Sequence, residues 1–259
     1  MALVTIVTPC YNSDQFIGNA IKSVQAQTFK NYEHIIVDDY SSDHSCQVVS
    51  DFARDDDRIK LIALKNNSGA AVARNAAIEA ASGRYIAFLD SDDIWLPVKL
   101  KSQLEFMVAK DAAFVFSSYR KIGSKGETLG VMGVPDVVTY HDILKCCVIG
   151  CLTAMYDTHK LGKIYMPMIR ERQDFGLWLR ILRSCQYGYG QREVLAEYTV
   201  RGDSISSNKL NAAISQWRVY REFEELSLLK SFFFFINYFF RGVLRSKFPS
   251  IAKAFGVLD

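Results

Sequence analysis

The sequence lacks the features that mark several specialised classes of protein. It has five prolines in 259 residues, and no run of about 18 uncharged apolar residues that could form a membrane-spanning helix. Its six cysteines include no Cys-x-x-Cys pair or zinc-finger spacing with histidine, which favours free thiols in a reducing cytosol. Residues 1–5 contain no basic residue, so we expect no signal peptide. The net charge of +3 does not indicate a nucleic-acid partner.

The first part of the chain contains a regular alternation of apolar runs and amphipathic stretches. Runs rich in β-branched and aromatic residues predict strands at 3–8, 33–37, 59–64 and 85–89. Apolar residues at helical spacing predict helices at 14–27, 45–54 and 69–81. Because alternating strands and helices are joined by right-handed crossovers, we predict an α/β fold with a mostly parallel sheet flanked by helices.

Polar residues follow each of these predicted strands. They occupy 8–12, 38–39, 66–69 and 90–93. Ligands of such sheets bind at the carboxyl ends of the strands. We therefore expect these four segments to converge on one site.

Three carboxylates stand together at the end of the fourth predicted strand, in the sequence FLDSDD (88–93). Like charges repel strongly in a half-buried site, so such a group usually accompanies a cation. Asp-x-Asp supplies hard oxygen ligands that suit Mg²⁺ or Mn²⁺, with substrate phosphates completing the coordination. A helix N-cap followed by a polar turn is the alternative interpretation of the same residues.

The alternation of strands and helices ends near residue 112. Strands are predicted at 113–119, 151–156 and 193–200, with a helix at 173–183. We expect loops at 123–133 and 201–208, a turn at 188–190 and helices in the remainder. This organisation predicts a main domain at 1–208 and a C-terminal helical extension at 209–259.

Four segments, in this order and spacing, resemble the GT-A fold glycosyltransferases of family 2, which are inverting enzymes with a Rossmann-like sheet. The segments are VTPCYN (7–12), IVDDYS (36–41), NSGAAVARN (67–75) and FLDSDD (88–93). A fifth, RQDFGLWL (172–179), is similar to the family's acidic catalytic motif, with Gln173 where the family usually has glutamate. The Gln-x-x-Arg-Trp motif of processive synthases is absent, which indicates transfer of one sugar per encounter.

The resemblance implies a set of functional residues. Those expected to bind the nucleotide of a UDP-sugar are Thr8, Pro9, Tyr11, Asp39, Arg74, Asp90 and Ser91. Asp92 would be the direct ligand of Mn²⁺ or Mg²⁺, with Asp93 a weaker candidate. Alternatives from the residues alone are a turn carboxylate for Asp39, a packed aromatic ring for Tyr11 and a surface side chain for Arg74.

The resemblance makes Asp174 the general base that takes the proton of the acceptor hydroxyl. An aspartate at the start of a helix is also a preferred N-cap, so a capping role is the alternative. The acceptor expected from the family is a glycan or a lipid-linked glycan of a bacterial cell surface.

Two other classes of function compete with this one. A nucleotidyltransferase uses a similar sheet and metal but normally has a Gly-rich basic loop after the first strand, where this chain has Pro9-Cys10-Tyr11-Asn12. A non-catalytic nucleotide-binding membrane adaptor is the other alternative, although all four expected functional aspartates are present.

The C-terminal region combines aromatic and basic residues. Residues 226–258 contain five basic and no acidic residues, and the run 232–240 is almost entirely aromatic. Such a segment suits the headgroup region of a membrane, so we expect peripheral binding to the cytoplasmic face of the bacterial membrane. The alternative is a helix that packs on the catalytic domain or on a second subunit of a homodimer.

Overall fold

The computed structural model of the chain describes residues 2–169, 171–200 and 209–247. The described strands are β1 (Val4–Cys10), β2 (Tyr32–Asp38), β3 (Ile59–Ala63), β4 (Tyr85–Phe88), β5 (Ile94–Trp95), β6 (Phe114–Ile122), β7 (Thr128–Met132), β8 (Val137–Val138), β9 (Met155–Asp157) and β10 (Gly188–Thr199). The helices are α1 (Ile17–Gln25), α2 (Ser45–Asp55), α3 (Ala70–Ala80), α4 (Lys99–Ala109), α5 (Tyr140–Lys145), α6 (Thr158–Leu161), α7 (Gln173–Ser184), α8 (Lys209–Arg218) and α9 (Leu228–Lys247).

These strands form one sheet in the order β3-β2-β1-β4-β9-β6-β10-β5, with β7 beside β6 and β8 beside β10. The pairs among β1, β2, β3 and β4 are parallel, as the strand-helix alternation predicts. Strand β9 lies antiparallel between β4 and β6, while β6 and β10 pair in parallel. The predicted α/β fold is confirmed, although the sheet is mixed beyond β4.

The central strands are buried on both faces, because alternate residues of each strand enter different hydrophobic clusters. Ile6 packs with the residues of α1, whereas its neighbour Val7 packs on the side of α3 and α7. Phe88 meets Trp178 of α7 edge-on, with ring centroids 5.6 Å apart. Helices therefore cover both faces of the sheet and leave its strand ends open.

Three local predictions in the second half of the chain are wrong. The expected loop 123–133 contains β7, a hairpin partner of β6. The expected turn 188–190 is the start of β10, where a Cβ on Gly190 would lie 2.0 Å from the carbonyl oxygen of Pro135. These glycines permit close approach between chain segments. The expected strand 151–156 is a 3₁₀ turn at Cys151–Thr153 followed by β9.

The described C-terminal helices pack on the same core as the sheet. Val219, Tyr220 and Phe234 belong to the hydrophobic cluster that contains α7. The hydroxyl of Tyr220 donates a hydrogen bond to the carbonyl oxygen of Leu144, 2.5 Å away. The expected loop 201–208, at the boundary between the two predicted domains, lies outside the described residues. Among the helices that the structure describes, none is long and apolar enough to cross a membrane.

Candidate active site

A cavity of about 800 Å³ opens at the carboxyl ends of β1, β2 and β4. Seven of the nucleotide- and metal-binding residues expected from the sequence line it, namely Pro9, Tyr11, Asp39, Arg74, Asp90, Ser91 and Asp92. The cavity is also lined by the loop 67–69, the start of α3 and Gln173. Residues from five separate segments of the sequence thus meet in one cleft.

Asp39 follows β2 and faces the loop that leads into α3. Its two carboxylate oxygens accept hydrogen bonds from the backbone amides of Ser68 and Gly69, each 2.7 Å away. The neighbouring turn is held instead by Asp38, which accepts from the amide of Ser41 at 2.9 Å. The alternative role of Asp39 as the turn carboxylate is therefore wrong, because Asp38 makes the hydrogen bond that holds the turn.

Arg74 is buried beneath the cleft, not exposed on the surface of α3 as the alternative required. It donates to Oδ1 of Asp90 at 2.5 Å and to Oε1 of Gln173 at 3.1 Å. Burial alone would lower the pKa of Arg74, but the nearby carboxylates of Asp90 and Asp174 help to raise it above its ordinary value. This guanidinium is a fixed positive charge that joins α3, the end of β4 and α7.

The two carboxylates that follow Ser91 have different surroundings. Asp92 is partly exposed and lines the cavity. Asp93 is buried and accepts a hydrogen bond from the backbone amide of Thr199 in β10, 3.0 Å away. Burial, with repulsion from Asp90 and Asp92, raises the pKa of Asp93 well above its ordinary value. Asp93 therefore holds the end of β4 to β10 and does not line the cavity.

Asp174 is the second residue of α7, since the helix begins at Gln173 after Arg172. Its Oδ1 accepts a hydrogen bond from the amide of its own neighbour Phe175 at 2.8 Å. The alternative N-cap role is wrong, because the N-cap position is occupied by Arg172. The side chain is partly exposed and lies within electrostatic reach of Arg74, although it does not line the cavity itself.

Thr8 and Tyr11 occupy contrasting positions near β1. Thr8 is buried, outside the cavity lining, and its hydroxyl shares a 2.9 Å hydrogen bond with Nε2 of His34. Burial lowers the pKa of His34 to about 3, so this imidazole is neutral. Tyr11 is 50% exposed at the cavity wall, so it is not the packed aromatic ring of the alternative interpretation.

Some of the residues that line the cavity are not among those expected from the sequence. Gln173, noted only as a departure from the family pattern, accepts a hydrogen bond from Arg74 in the cavity wall. Met168 and Ile169 form another part of the wall. Their segment is held to α3 by Asn75, which donates to the carbonyl oxygen of Met166 at 3.0 Å. No motif marks these apolar residues, because only the packing of distant segments brings them to the cleft.

The donor set of the cleft suits a divalent ion that is shared with a substrate. Among the described residues, no group of three or more His, Cys, Asp or Glu side chains is arranged to enclose a metal. Asp92 is directed to the cavity, and Asp90 is already paired with Arg74. One or two carboxylates of this kind hold Mg²⁺ or Mn²⁺ when substrate phosphates supply further oxygens. The residues that line the cleft therefore fit a divalent ion that a bound substrate helps to hold.

The comparison with known families agrees with the fold and assigns the chain to a class of transferases. The family model described as Glycosyl transferase family 2 matches residues 5–140. The chain belongs to this family and is a glycosyltransferase, which excludes the nucleotidyltransferase and adaptor alternatives.

Similar proteins come from several bacteria. The chain is 46% identical over 237 residues to TuaG of Bacillus subtilis, a glycosyltransferase whose name places it in teichuronic acid biosynthesis. That match covers 91% of this chain and 94% of TuaG. It is 37% identical over 251 residues to WfgD of Escherichia coli, named as a UDP-Glc:α-D-GlcNAc-diphosphoundecaprenol β-1,3-glucosyltransferase. That match covers 95% of this chain and 96% of WfgD.

Solved structures share the fold at low sequence identity. Residues 1–349 of S. aureus TarS, in complex with UDP, superpose with a TM-score of 0.70 at 20% identity, covering 95% of this chain and 73% of that one. The mannosyltransferase PcManGT of Pyrobaculum calidifontis, in complex with GDP-Man and Mn²⁺, gives a TM-score of 0.65 at 16% identity. It covers 85% of this chain and 64% of that one. These likenesses establish the fold.

Proposed function

We propose that the protein transfers one sugar from a UDP-sugar to a hydroxyl of a glycan or lipid-linked acceptor, with inversion and with help from Mn²⁺ or Mg²⁺. The observation that carries the proposal is the meeting of Asp39, Arg74, Asp90 and Asp92 in one cavity at the strand ends. The names of TuaG and WfgD support a place in cell-surface polysaccharide synthesis.

The wall formed by Tyr11, Asp39 and the start of α3 suits a uridine. The carboxylate of Asp39 has about four acceptor sites, and two backbone amides occupy two of them, so it can also accept from uracil N3–H. The exposed ring of Tyr11 offers a surface on which the base stacks. Asp90 and Ser91 then face the ribose and the first phosphate.

Asp92 would hold the divalent ion together with oxygens of the donor diphosphate. When bound, the ion offsets the negative charge that develops on the departing diphosphate. Arg74 contributes a fixed positive charge beneath the same region, and its ion pair holds Asp90 in place. An arginine that is already positioned needs no rearrangement as the bond breaks.

Asp174 would act as the general base. The acceptor oxygen forms a bond to the anomeric carbon as the bond from that carbon to the diphosphate oxygen breaks, and UDP leaves. The proton of the acceptor hydroxyl passes to the Asp174 carboxylate. Attack from the face opposite the leaving group inverts the anomeric configuration.

Transfer assays with a panel of UDP-sugars, with Mn²⁺ and with EDTA, test this proposal. Asp174→Asn should lower kcat about a hundredfold or more while UDP affinity stays nearly unchanged, because asparagine keeps the shape but cannot take the proton. Asp51→Asn, an exposed aspartate of α2, is the matched control and should be fully active. Full activity of Asp174→Asn would refute the base assignment, and undiminished activity in EDTA would refute the metal.

We also propose that α9 attaches the enzyme to the cytoplasmic face of the membrane, next to a lipid-linked acceptor. One side of the helix packs inward through Phe234, which is 7% exposed. The other side exposes large apolar residues, namely Leu228, Leu229, Phe232, Phe233, Ile236, Phe239 and Phe240. Lys230 and Arg241 lie on the same helix and complement anionic lipid.

Sedimentation with anionic vesicles tests this attachment. Substituting serine at Phe232 and Phe239, which are 59% and 60% exposed, should abolish sedimentation at low salt without lowering the thermal midpoint. Val108→Ser, at an apolar residue of α4 that is also exposed, is the control and should leave sedimentation unchanged. A truncation after Glu225 is less suitable, because it would remove the buried Phe234. Wild-type protein that stays in the supernatant would refute membrane binding.

A further inference from the structure

The backbone has an unusual conformation immediately before α7. Arg172 has φ 62° and ψ 27°, the left-handed conformation that residues other than glycine seldom adopt. Such a conformation persists where the surrounding contacts hold it, often at functional sites. Gln173 and Asp174 follow directly, so the conformation of Arg172 sets the direction in which α7 enters the cleft.

The side chain of Arg172 reaches the C-terminal helix. Its Nη2 donates a hydrogen bond to the hydroxyl of Tyr238 in α9 at 2.6 Å, and its Cζ lies 5.3 Å from the centroid of that ring. Tyr238 packs beside Phe235, which in turn meets Trp217 of α8 edge-on at 5.5 Å. The Tyr238 ring, whose hydroxyl accepts the hydrogen bond from Arg172, is therefore held in place by a row of packed aromatic rings.

The neighbours of Arg172 make further connections on both sides. Glu171 accepts a hydrogen bond from the hydroxyl of Ser215 in α8, 2.7 Å away. Gln173 accepts from Arg74, which is paired with Asp90 in the cleft. Three consecutive residues thus join the two C-terminal helices to the charged side chains of the active site.

We propose that Arg172 and Tyr238 are a positioning pair, which holds the start of α7 so that Asp174 points at the acceptor hydroxyl. This inference rests on the proposed role of Asp174 as the base. It gives α9 a part in catalysis in addition to attachment. A base must lie within hydrogen-bond distance of its proton, and a displacement of about 1 Å can lower the rate by orders of magnitude.

Tyr238→Phe tests the pair, because it removes the hydroxyl and keeps the ring. We expect kcat for transfer to fall about tenfold, with the donor KM and the UDP dissociation constant within about twofold of wild type. A purely structural role would lower the thermal midpoint and leave kcat unchanged. Tyr187→Phe removes the same atom from an exposed tyrosine before β10 and should have no effect.

Arg172→Gly separates the guanidinium from the backbone conformation, because glycine adopts φ 62° freely. We expect it to lose the same factor in kcat as Tyr238→Phe, and the double variant to be no slower than either single one. A wild-type kcat in either single variant would overturn the proposed positioning role. A double variant whose loss in kcat is the product of the two single losses would also overturn it. An active Asp174→Asn is a different result, which would refute the base assignment and the positioning role that rests on it.

Discussion

The end of the sheet opposite the cleft contains a buried carboxylate whose contribution to stability can be measured. Glu33 of β2 accepts hydrogen bonds at Oε1 from the hydroxyl of Thr5 at 2.6 Å and from the amide and hydroxyl of Ser82, both at 2.7 Å. Its Oε2 accepts from Nζ of Lys60 at 2.7 Å. One side chain therefore joins β1, β2, β3 and the segment that enters β4.

These contacts set the size of the effect. Burial alone would raise the pKa of Glu33, but the hydrogen bonds from Lys60, Thr5 and Ser82 outweigh it and lower the pKa from 4.5 to about 2. At about 1.4 kcal/mol per pKa unit, the ionised carboxylate contributes about 3 kcal/mol to the free energy of unfolding near neutral pH. The unfolded chain binds the proton more readily, so this contribution is complete above pH 4.5 and is lost as the pH falls towards 2.

Glu33→Gln should therefore lower the free energy of unfolding by about 3 kcal/mol in urea titrations near pH 7. The difference from wild type should shrink to less than half near pH 3, since the wild-type contribution is then partly lost. Glu105→Gln, at an exposed glutamate 4.0 Å from Lys101, is the matched control and should change stability by less than about 0.5 kcal/mol. A difference that is small near neutral pH, or the same at both pH values, would refute the reasoning.

Two further predictions follow from the packing of the sheet. Asp93→Asn should stay folded and keep metal-dependent transfer, because the side-chain oxygen of asparagine can still accept a hydrogen bond from the backbone amide of Thr199. Asp92→Asn should lose metal-dependent transfer. Transfer assays with and without Mn²⁺ check this, and an inactive but folded Asp93→Asn would contradict it. Gly190→Ala should destabilise the protein by about 1–3 kcal/mol in urea, because its Cβ would meet the carbonyl oxygen of Pro135. Gly18→Ala should not destabilise the protein, because its Cβ would lie at ordinary contact distances from its neighbours. Equal stabilities of the two variants would contradict this prediction and show that β10 can shift.

Much of the fold follows from short-range pattern. Each apolar run that ends at a polar segment becomes a strand of the parallel half of the sheet, and the carboxyl ends of those strands meet in the cleft. Six of the seven expected residues that line the cavity share it for this reason, and the seventh, Arg74, reaches it from α3. A period of two or of 3.6 residues is a local property, so the sequence shows it directly.

The prediction fails where residues have ambiguous patterns. The glycines at 188 and 190 look like a turn, but they form part of β10 because this segment pairs with β6 and β8. Phe114 and Pro135 approach these positions too closely for larger side chains. Strand β7 contains no buried residue, since it lies at the margin of the sheet against β6. In both places the partner strand decides the conformation.

The sequence by itself determined the α/β architecture, the family and the set of carboxylates at the strand ends. Only the tertiary structure decided which of them lines the cleft: Asp92 faces the cavity while Asp93 is buried against β10, and Asp39 binds the start of α3 while Asp38 holds the turn. It also decided that Arg74 joins Asp90 and Gln173, which are 16 and 99 positions away in the sequence. The physical reason is that strand periodicity is local, whereas the partner of a buried charge is set by the packing of segments far apart in the chain.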